Sequence, residues 1–145
     1  MALTFGGRVL VPAADPDDGE RTARALAPRL EPTSTAIVVH VVKRGEGGPD
    51  SVPLEGRQEY AEEIFDRARA VLSDAEGTVE TEVLYGADVV ETVFDGATER
   101  DVDAVVFTPR EGNRLAEVLT GDVARRMVKE ASVPVVALPP RVGQE

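Results

Sequence analysis

Apolar runs suited to buried strands alternate with segments of helical periodicity along this 145-residue chain. The five runs that predict strands are residues 5–11, 35–42, 78–85, 103–108 and 133–138. Because strict alternation with short links requires right-handed crossovers, the pattern predicts a parallel sheet covered by helices on both faces. The length and a hydrophobic content of 42% suit one core, so we expect a three-layer α/β/α fold in a single domain, residues 1–145.

Several residues mark where the predicted helices begin and end. Asp17 or Asp18 is the expected N-cap of the first helix, and Pro28 should kink that helix or end it early. Asp88 and Glu91 form a pair like a capping box at the start of the third helix. These signals place both helix starts directly after predicted strands.

Apolar stripes predict which helix faces are buried. The second helix is expected over residues 55–76. Its predicted stripe is Tyr60, Ile64, Ala68, Val71, Leu72 and Ala75. The stripes of the third and fourth helices are Val89, Val90, Val93, Phe94 and Ala97, and Val123, Ala124, Met127, Val128 and Ala131.

The charge balance excludes several classes of partner. With 27 acidic against 16 basic residues, the net charge of −11 argues against binding to nucleic acid or to anionic membranes. No apolar run approaches the roughly 18 residues of a membrane span, and no signal peptide is recognisable, so a cytoplasmic protein is expected. An acidic surface with only two lysines, Lys43 and Lys129, suggests a halophilic source, although a GC-rich genome would give the same composition.

The side chains that could carry catalysis are few and scattered. Cysteine is absent, which excludes thiolate metal sites and cysteine nucleophiles. The lone His40 lies within the second strand, where a packed core residue is favoured over a ligand or an acid/base role. The serines have no context typical of a nucleophile, so no enzymatic activity is expected. No metal site is expected either. The serines are Ser34, Ser51, Ser73 and Ser132.

The segment 105–123 is the best candidate for a binding site, because it reads as a strand, a basic loop and a helix start at Gly121. α/β proteins bind phosphate at such helix starts. Four arginines lie in or next to this segment, and they form either an anion site or a solvated face with local salt bridges. They are Arg110, Arg114, Arg125 and Arg126.

Taken in order, six short pieces of the sequence resemble the universal stress protein family over essentially the whole chain. They are residues 8–12, 40–42, Gly86 with its following helix, and residues 103–106, 119–121 and 133–136. The resemblance implies a Rossmann-like fold of the adenine-nucleotide-hydrolase type, with strand order 3-2-1-4-5. It also implies a homodimer formed largely through the last strand and a role in stress survival. Some members bind ATP and others do not.

The ATP-binding members of the family share a loop motif, and this chain resembles that motif only in part. The motif is Gly, two residues, Gly, nine residues, then Gly followed by Ser or Thr, with an Asp just after the first strand. Counting back from Gly121, the last motif glycine alone stands in place. At or beside the other motif positions stand Thr108, Glu111, Gly112, Asp122, Ala14 and Asp15.

These departures predict lost or weakened ATP binding. Thr108 and Glu111 hinder the close backbone approach that glycines allow. Asp122 would cap the helix with its own carboxylate. Its charge about 4 Å from a phosphate costs about 4 kcal/mol at an effective dielectric near 20, more than a helix terminus returns. Arg110 and Arg114 could offset part of this cost.

Three functions remain open on the sequence alone. The first is a non-catalytic dimer without a bound cofactor, acting through protein contacts or a small anionic ligand. The second is a nucleotide-binding switch or slow ATPase that uses Arg110, Gly112 and Gly121, with Val41 near the adenine. The third is a regulatory domain of the transporter-associated type.

The two predicted sheet edges differ in charge. The third strand carries Glu80 and Glu82, which protect an edge from pairing with other chains. The last strand has no such charge, so it is expected to form a twofold dimer interface. The predicted interface residues are Val135, Val136, Ala137 and Leu138.

Overall fold

The computed structural model describes residues 3–43, 54–109 and 121–140, and within them strands and helices alternate. The strands are β1 (Arg8–Pro12), β2 (Thr35–Lys43), β3 (Thr78–Gly86), β4 (Ala104–Phe107) and β5 (Val135–Ala137). The helices are α1 (Pro16–Leu26), α2 (Leu54–Leu72), α3 (Val89–Glu99) and α4 (Gly121–Lys129). All strand pairs are parallel, in the order β3-β2-β1-β4-β5, which confirms the predicted α/β fold.

Two apolar cores lie on opposite faces of the sheet. Successive residues of β1 point to opposite sides, so Val9 and Val11 join the core under α1 and α2, whereas Leu10 joins the core under α3 and α4. All three are at most 1% exposed. A central strand buried on both faces explains why the sequence of β1 is continuously apolar.

The edge strand β3 follows the predicted pattern of a protected edge. Its pairing with β2 extends from Thr35 opposite Thr78 to Lys43 opposite Gly86. Glu82 is exposed and receives two hydrogen bonds from Arg100, at 2.9 and 2.7 Å. The hydrogen bonds from Arg100 lower the pKa of Glu82.

The N-cap of helix α1 lies two or three residues earlier than predicted. Asp15, not Asp17 or Asp18, is the N-cap, and its carboxylate accepts a hydrogen bond from the backbone N–H of Asp18 at 2.7 Å. Pro16 is already inside the helix, where its fixed φ suits the first turn and moves the cap to the preceding residue. At the other end the helix stops at Leu26 and a 3₁₀ turn, Ala27–Arg29, contains Pro28, as predicted.

The other element boundaries differ from the predictions by a few residues. β1 begins at Arg8 because Phe5 makes only an isolated bridge to Leu30, and β4 and β5 are also shorter than expected. α2 ends at Leu72 and not at residue 76. The backbone turns into β3 at Gly77, whose φ of +90° favours glycine.

Three residues assigned to the buried stripes are exposed, and one of them, Ala131, lies beyond the end of α4. Tyr60 of α2 is 42% exposed, and Ala61 and Phe65 occupy the buried positions beside it. Val128 of α4 is 64% exposed, while Met127 is fully buried. Tyr60 and Val128 each stand one residue, or about 100°, from a buried neighbour, whereas Ile64, Ala68 and Leu72 of the α2 stripe are buried as predicted.

We predict that Asp18→Ala lowers the free energy of unfolding by about 2–4 kcal/mol. Asp18 is only 2% exposed, and its carboxylate accepts hydrogen bonds from Ala14 N–H at 2.8 Å and from Arg21 at 2.7 Å. Removing it leaves both donors without this acceptor. The measurement is urea denaturation at constant KCl concentration.

Asp17→Ala is the matched control, because Asp17 is the exposed neighbour of Asp18 and forms a surface salt bridge with Arg67 at 2.7 Å. Its effect should be much smaller. Equal effects of the two substitutions would contradict the assignment of Asp18 as the residue that holds the loop after β1.

Candidate functional site

A largely apolar cavity of about 230 Å³ lies at the carboxyl ends of β1 and β2. Ligands of parallel α/β sheets bind beyond the carboxyl ends of strands, at the point where strand order reverses. In this sheet the order reverses between β1 and its neighbours β2 and β4. The lining residues are Pro12, Ala13, Ala14, His40, Val41, Lys43, Val89 and Val93.

Three hydrogen bonds fix the loop that connects β1 to α1. Ala13 N–H donates to the carbonyl of Val39 at 2.9 Å, and Ala14 N–H donates to Asp18 at 2.8 Å. The Nδ1 atom of His40 lies 2.9 Å from the carbonyl oxygen of Ala13. Because a carbonyl only accepts, Nδ1 carries the hydrogen and donates it. The loop wall of the cavity is therefore anchored to both β2 and α1.

His40 is half-buried and lines the cavity, so the prediction of a packed core residue was wrong about its surroundings. The prediction failed because the residue stands near the end of β2, where the strand leaves the core. Its ring contacts the ring of Tyr60 edge-on, with centroids 5.6 Å apart. Burial lowers the pKa of His40 below its ordinary value, against the raising effects of the Ala13 carbonyl and Asp15. The imidazole is therefore neutral at neutral pH.

The start of α3 forms another wall of the cavity and is held by an ion pair. Asp88 caps the helix, with its carboxylate accepting from Glu91 N–H at 3.0 Å, as the capping pair predicted. Arg126 of α4 donates two hydrogen bonds to the same carboxylate, each of 2.9 Å. The hydrogen bonds from Arg126, and next the one from Glu91 N–H, lower the pKa of Asp88.

The two arginines of α4 are neutralised by acidic neighbours. Arg126 also donates to Glu130, at 2.8 and 3.1 Å, and Arg125 lies 3.3 Å from Asp122. These contacts agree with the interpretation of this pair as a solvated face with salt bridges. Each of the two guanidinium groups therefore has a carboxylate partner.

The sequence-derived site residues fall in four places. Ala14 and Val41 line the cavity, and Asp15 lies next to it as the N-cap of α1. Thr108 directly follows β4, is fully buried, and has no hydrogen-bond partner for its hydroxyl among the described residues. Gly121 is the first residue of α4. Arg110, Gly112, Glu111 and Arg114 lie outside the described residues.

The expectation that Asp122 caps α4 was wrong. Asp122 is already within the helix, as its second residue, and its side chain is 87% exposed. Its carboxylate reaches forward to Arg125, 3.3 Å away, across one turn. An N-cap acceptor has to precede the helix, so a residue that follows the helical Gly121 is placed too late for this role.

Sequence reasoning missed Lys43 as a cavity residue and assigned Val89 and Val93 only to a packed helix face. A usable signal existed, because Lys43 ends β2 and Val89 begins the helix that follows β3. Residues at the carboxyl ends of neighbouring parallel strands meet at one edge of the sheet. The charge on Lys43 is therefore brought to the rim of an otherwise apolar cavity.

Other kinds of site receive no support within residues 3–43, 54–109 and 121–140. No group of three or more histidine, aspartate or glutamate side chains there could hold a metal ion. None of the helices in these ranges has the length and apolarity needed to cross a bilayer.

Comparison with known proteins identifies a family. The sequence model of the universal stress protein family matches residues 7–139. A stretch of 79 residues is 25% identical to the stress response protein NhaX of Bacillus subtilis (strain 168). This match covers 54% of the chain but only 47% of NhaX, so the chain spans about half the length of this relative.

Solved structures show the same fold. The universal stress protein from Archaeoglobus fulgidus in complex with dAMP has a TM-score of 0.63 at 24% identity, covering 94% of this chain and 99% of that one. A universal stress protein in complex with cAMP has a TM-score of 0.60 at 17% identity, covering 97% of this chain and all of the other. At these identities the likeness concerns the fold.

We predict that His40 makes stability depend on pH near neutrality. Its pKa is lowered on folding from the model-peptide value of 6.5, so the unfolded state binds more protons below that pH. The free energy of unfolding should therefore fall as the pH drops from about 7.5 to about 5.5. His40→Asn, which keeps a donor near the Nδ1 position, should remove this part of the pH dependence.

Urea denaturation of both proteins across this pH range tests the prediction. The carboxylates with lowered pKa values, Glu20, Glu82, Asp88 and Glu130, lose their contribution only as the pH falls below about 4.5 and are present in both proteins. Parallel curves for the two proteins would contradict the burial of a neutral His40.

Proposed function

Because the chain belongs to the universal stress protein family, we propose that it is a non-catalytic dimer of the stress response whose ATP binding is weakened or lost. The observation that carries this proposal is the placement of Asp122. Its carboxylate stands in the first turn of α4, where the resemblance to ATP-binding members calls for a hydroxyl. A fixed negative charge at that helix start opposes a phosphate.

The exposure of Asp122 favours weakened binding over complete loss. Its side chain is 87% exposed, so the surrounding dielectric is close to that of water. The repulsion from a phosphate charge about 4 Å away is then about 1 kcal/mol, which is within the range that a helix terminus returns. This value replaces the larger one expected for a desolvated site.

Contacts of two of the three described serines, Ser34 and Ser73, support a non-catalytic role. The hydroxyls of Ser34 and Ser73 donate to the backbone carbonyls of Glu31 and Ala70. Within residues 3–43, 54–109 and 121–140 the ring of His40 is hydrogen-bonded to the carbonyl of Ala13 and not to either of these hydroxyls. The side chains serve local structure.

The cavity favours a second candidate function, a nucleotide-binding switch or slow ATPase. Its walls are apolar and lie at the switch point of the sheet, as expected for a site that holds the base of a nucleotide. The two candidates differ in their prediction for Mg-ATP, which should stabilise a switch strongly and a degenerate site weakly. With no Trp and two Tyr, co-purified nucleotide would also dominate the absorption at 260 nm.

We predict that Asp122→Ser tightens Mg-ATP binding by about fivefold or more, because it removes about 1 kcal/mol of repulsion and adds a hydroxyl donor. The measurements are isothermal titration calorimetry and thermal shift in molar KCl. Asp122→Asn is the matched control for charge, and its gain should be smaller than that of Ser. Unchanged affinity in both variants would contradict the role given to this carboxylate.

Exposure of β5 supports the proposed dimer. β5 is the outer strand beside β4, and Val135, Val136 and Ala137 keep partial or full exposure. Leu138 is only 3% exposed and packs in the core of its own chain, so it is not available as an interface residue. The interface we propose is therefore the three-residue edge and not the four residues expected from the sequence.

We predict that Ala137→Lys converts the dimer into a monomer, because a charge on an apolar strand edge opposes pairing with a second copy. Ala137 is exposed, so the folded chain should tolerate the substitution. Light scattering in molar KCl gives the mass. Ser132→Lys, an equal charge change at an exposed residue outside β5, should leave the dimer intact; a monomeric wild-type protein would refute the proposal.

A further inference from the structure

An exposed apolar side chain on α4 lies beside the open edge of β5. Val128 is 64% exposed, compared with 49% for Leu3 and 45% for Tyr85, two other exposed apolar side chains. We propose that two β5 strands pair in an antiparallel register centred on Val136, and that Val128 packs against α4 of the second copy. The inference rests on the proposed dimer, to which it adds a defined register and a second contact surface.

The direction of Val128 follows from its neighbours on α4. Arg126 points toward α3, where it donates to the carboxylate of Asp88, and Met127 is fully buried in the core beneath α3 and α4. Successive helical residues are about 100° apart, so Val128 lies about 200° from Arg126 and faces away from α3. α3 contacts β2 and β3, whereas β5 is the opposite edge of the sheet. Val128 therefore faces the side of the open edge.

The backbone of β5 has hydrogen-bonding groups on its outer side. The carbonyl of Pro134 accepts from β4 and the N–H of Leu138 donates to β4, both at 2.9 Å. Successive residues of a strand direct their backbone groups to opposite sides. Val136 is therefore directed toward β4, while Val135 and Ala137 each direct an N–H and a C=O outward.

This edge is complementary to itself, which selects a second copy as its occupant. In a pairing centred on Val136, Val135 of one copy lies opposite Ala137 of the other and exchanges two hydrogen bonds with it. The twofold axis repeats the exchange, so the outward groups of both residues are all paired. Pro139, the next residue on the outer side, has no N–H and ends the ladder.

A ladder of this length needs a further contact to hold a dimer together. Specific protein–protein interfaces bury about 1,200–2,000 Å², with roughly 20–30 residues on each side. The twofold axis of such a strand pair is perpendicular to the sheet, so both α4 helices lie on the same face of the joined sheet. Val135 packs against the core on that face, and Ala137, two residues on, is exposed on it. Val128 adds apolar area on the same face, beside the α4 helix of the second copy.

Several charges on α4 are paired close to this contact. Asp122 lies 3.3 Å from Arg125, and Glu130 accepts a hydrogen bond from Arg126. These pairs reduce the repulsion that a net charge of −11 on each copy causes where the copies meet. Because KCl screens the remaining repulsion, the dimer should tighten as the KCl concentration rises.

Single-cysteine variants test the register, because the chain has no cysteine of its own. In the proposed pairing the two copies of Val136 lie opposite each other with Cα atoms about 4.5 Å apart, within the range of a disulfide. Val136→Cys should therefore form a covalent dimer with diamide as oxidant, measured by non-reducing electrophoresis. Ala137→Cys is the control, because its two copies lie about 9 Å apart, beyond that range. Stronger cross-linking at residue 137 would overturn the register.

Substitutions at Val128 test the helix contact by analytical ultracentrifugation in molar KCl. Val128→Ala should raise the dimer dissociation constant about tenfold, because each copy loses two methyl groups from the interface. Val128→Lys should give a monomer, and its far-UV circular dichroism should match that of the wild-type protein. Leu3→Ala is the matched control at another exposed aliphatic residue, in the segment bound by Arg29, and should leave the constant unchanged.

The outcomes separate this inference from the proposed dimer. An unchanged dissociation constant in both Val128 variants, or one that rises with KCl in the wild-type protein, would overturn the apolar helix contact and leave a dimer through β5 standing. A wild-type protein that stays monomeric would overturn both.

Discussion

Hydrogen bonds to two successive residues, Ala13 and Ala14, determine how β1 ends and therefore where everything at the carboxyl edge of the sheet lies. The backbone of Ala13 is bound through its N–H to β2 and through its carbonyl to His40, while Ala14 is bound to the buried carboxylate of Asp18. A loop held from two sides cannot relax into the space in front of β2. The cavity is therefore formed by contacts within the folded chain and does not depend on a bound ligand.

Arginine neutralises carboxylates at the places where elements of this acidic protein meet. Arg67 joins α2 to Glu20 and Asp17 of α1, and Arg126 joins α4 to the cap of α3. The planar guanidinium contacts two oxygens at once, so each contact sets an orientation as well as adding attraction. Exposed pairs add little stability individually, so their main effect here is to fix neighbouring helices relative to each other.

The sequence predicted the fold well because periodicity and strand alternation are local signals. Element order, strand order, the charged edge at β3 and the cap at Asp88 are all confirmed by the structure. The cap of α1 was missed because Asp15, Asp17 and Asp18 are all suitable locally. The choice among them depends on Asp18 turning inward to meet Ala14, which is a tertiary contact.

The site was less predictable than the fold, because it also depends on tertiary contacts between residues distant in the sequence. The ion pair of Arg126 with Asp88 joins residues 38 positions apart, so no spacing rule reveals it. Lys43 reaches the cavity only because β2 extends one residue beyond the predicted strand, and Val89 and Val93 because α3 begins at that edge. A motif read along the chain finds the segment that would touch phosphate, but it cannot find a wall assembled from three separate segments.

Electrostatic effects differ between the two parts of the candidate site, the start of α4 and the cavity. At α4 the helix terminus and Asp122 act in opposite directions with similar magnitudes, about 1 kcal/mol each in water-like surroundings. At the cavity rim the carboxylate of Asp88 already accepts hydrogen bonds from Arg126 and from Glu91 N–H, and Lys43 is only the last of the causes that lower its pKa. The carboxylate of Asp122 therefore opposes a phosphate at the start of α4 without changing the apolar walls of the cavity.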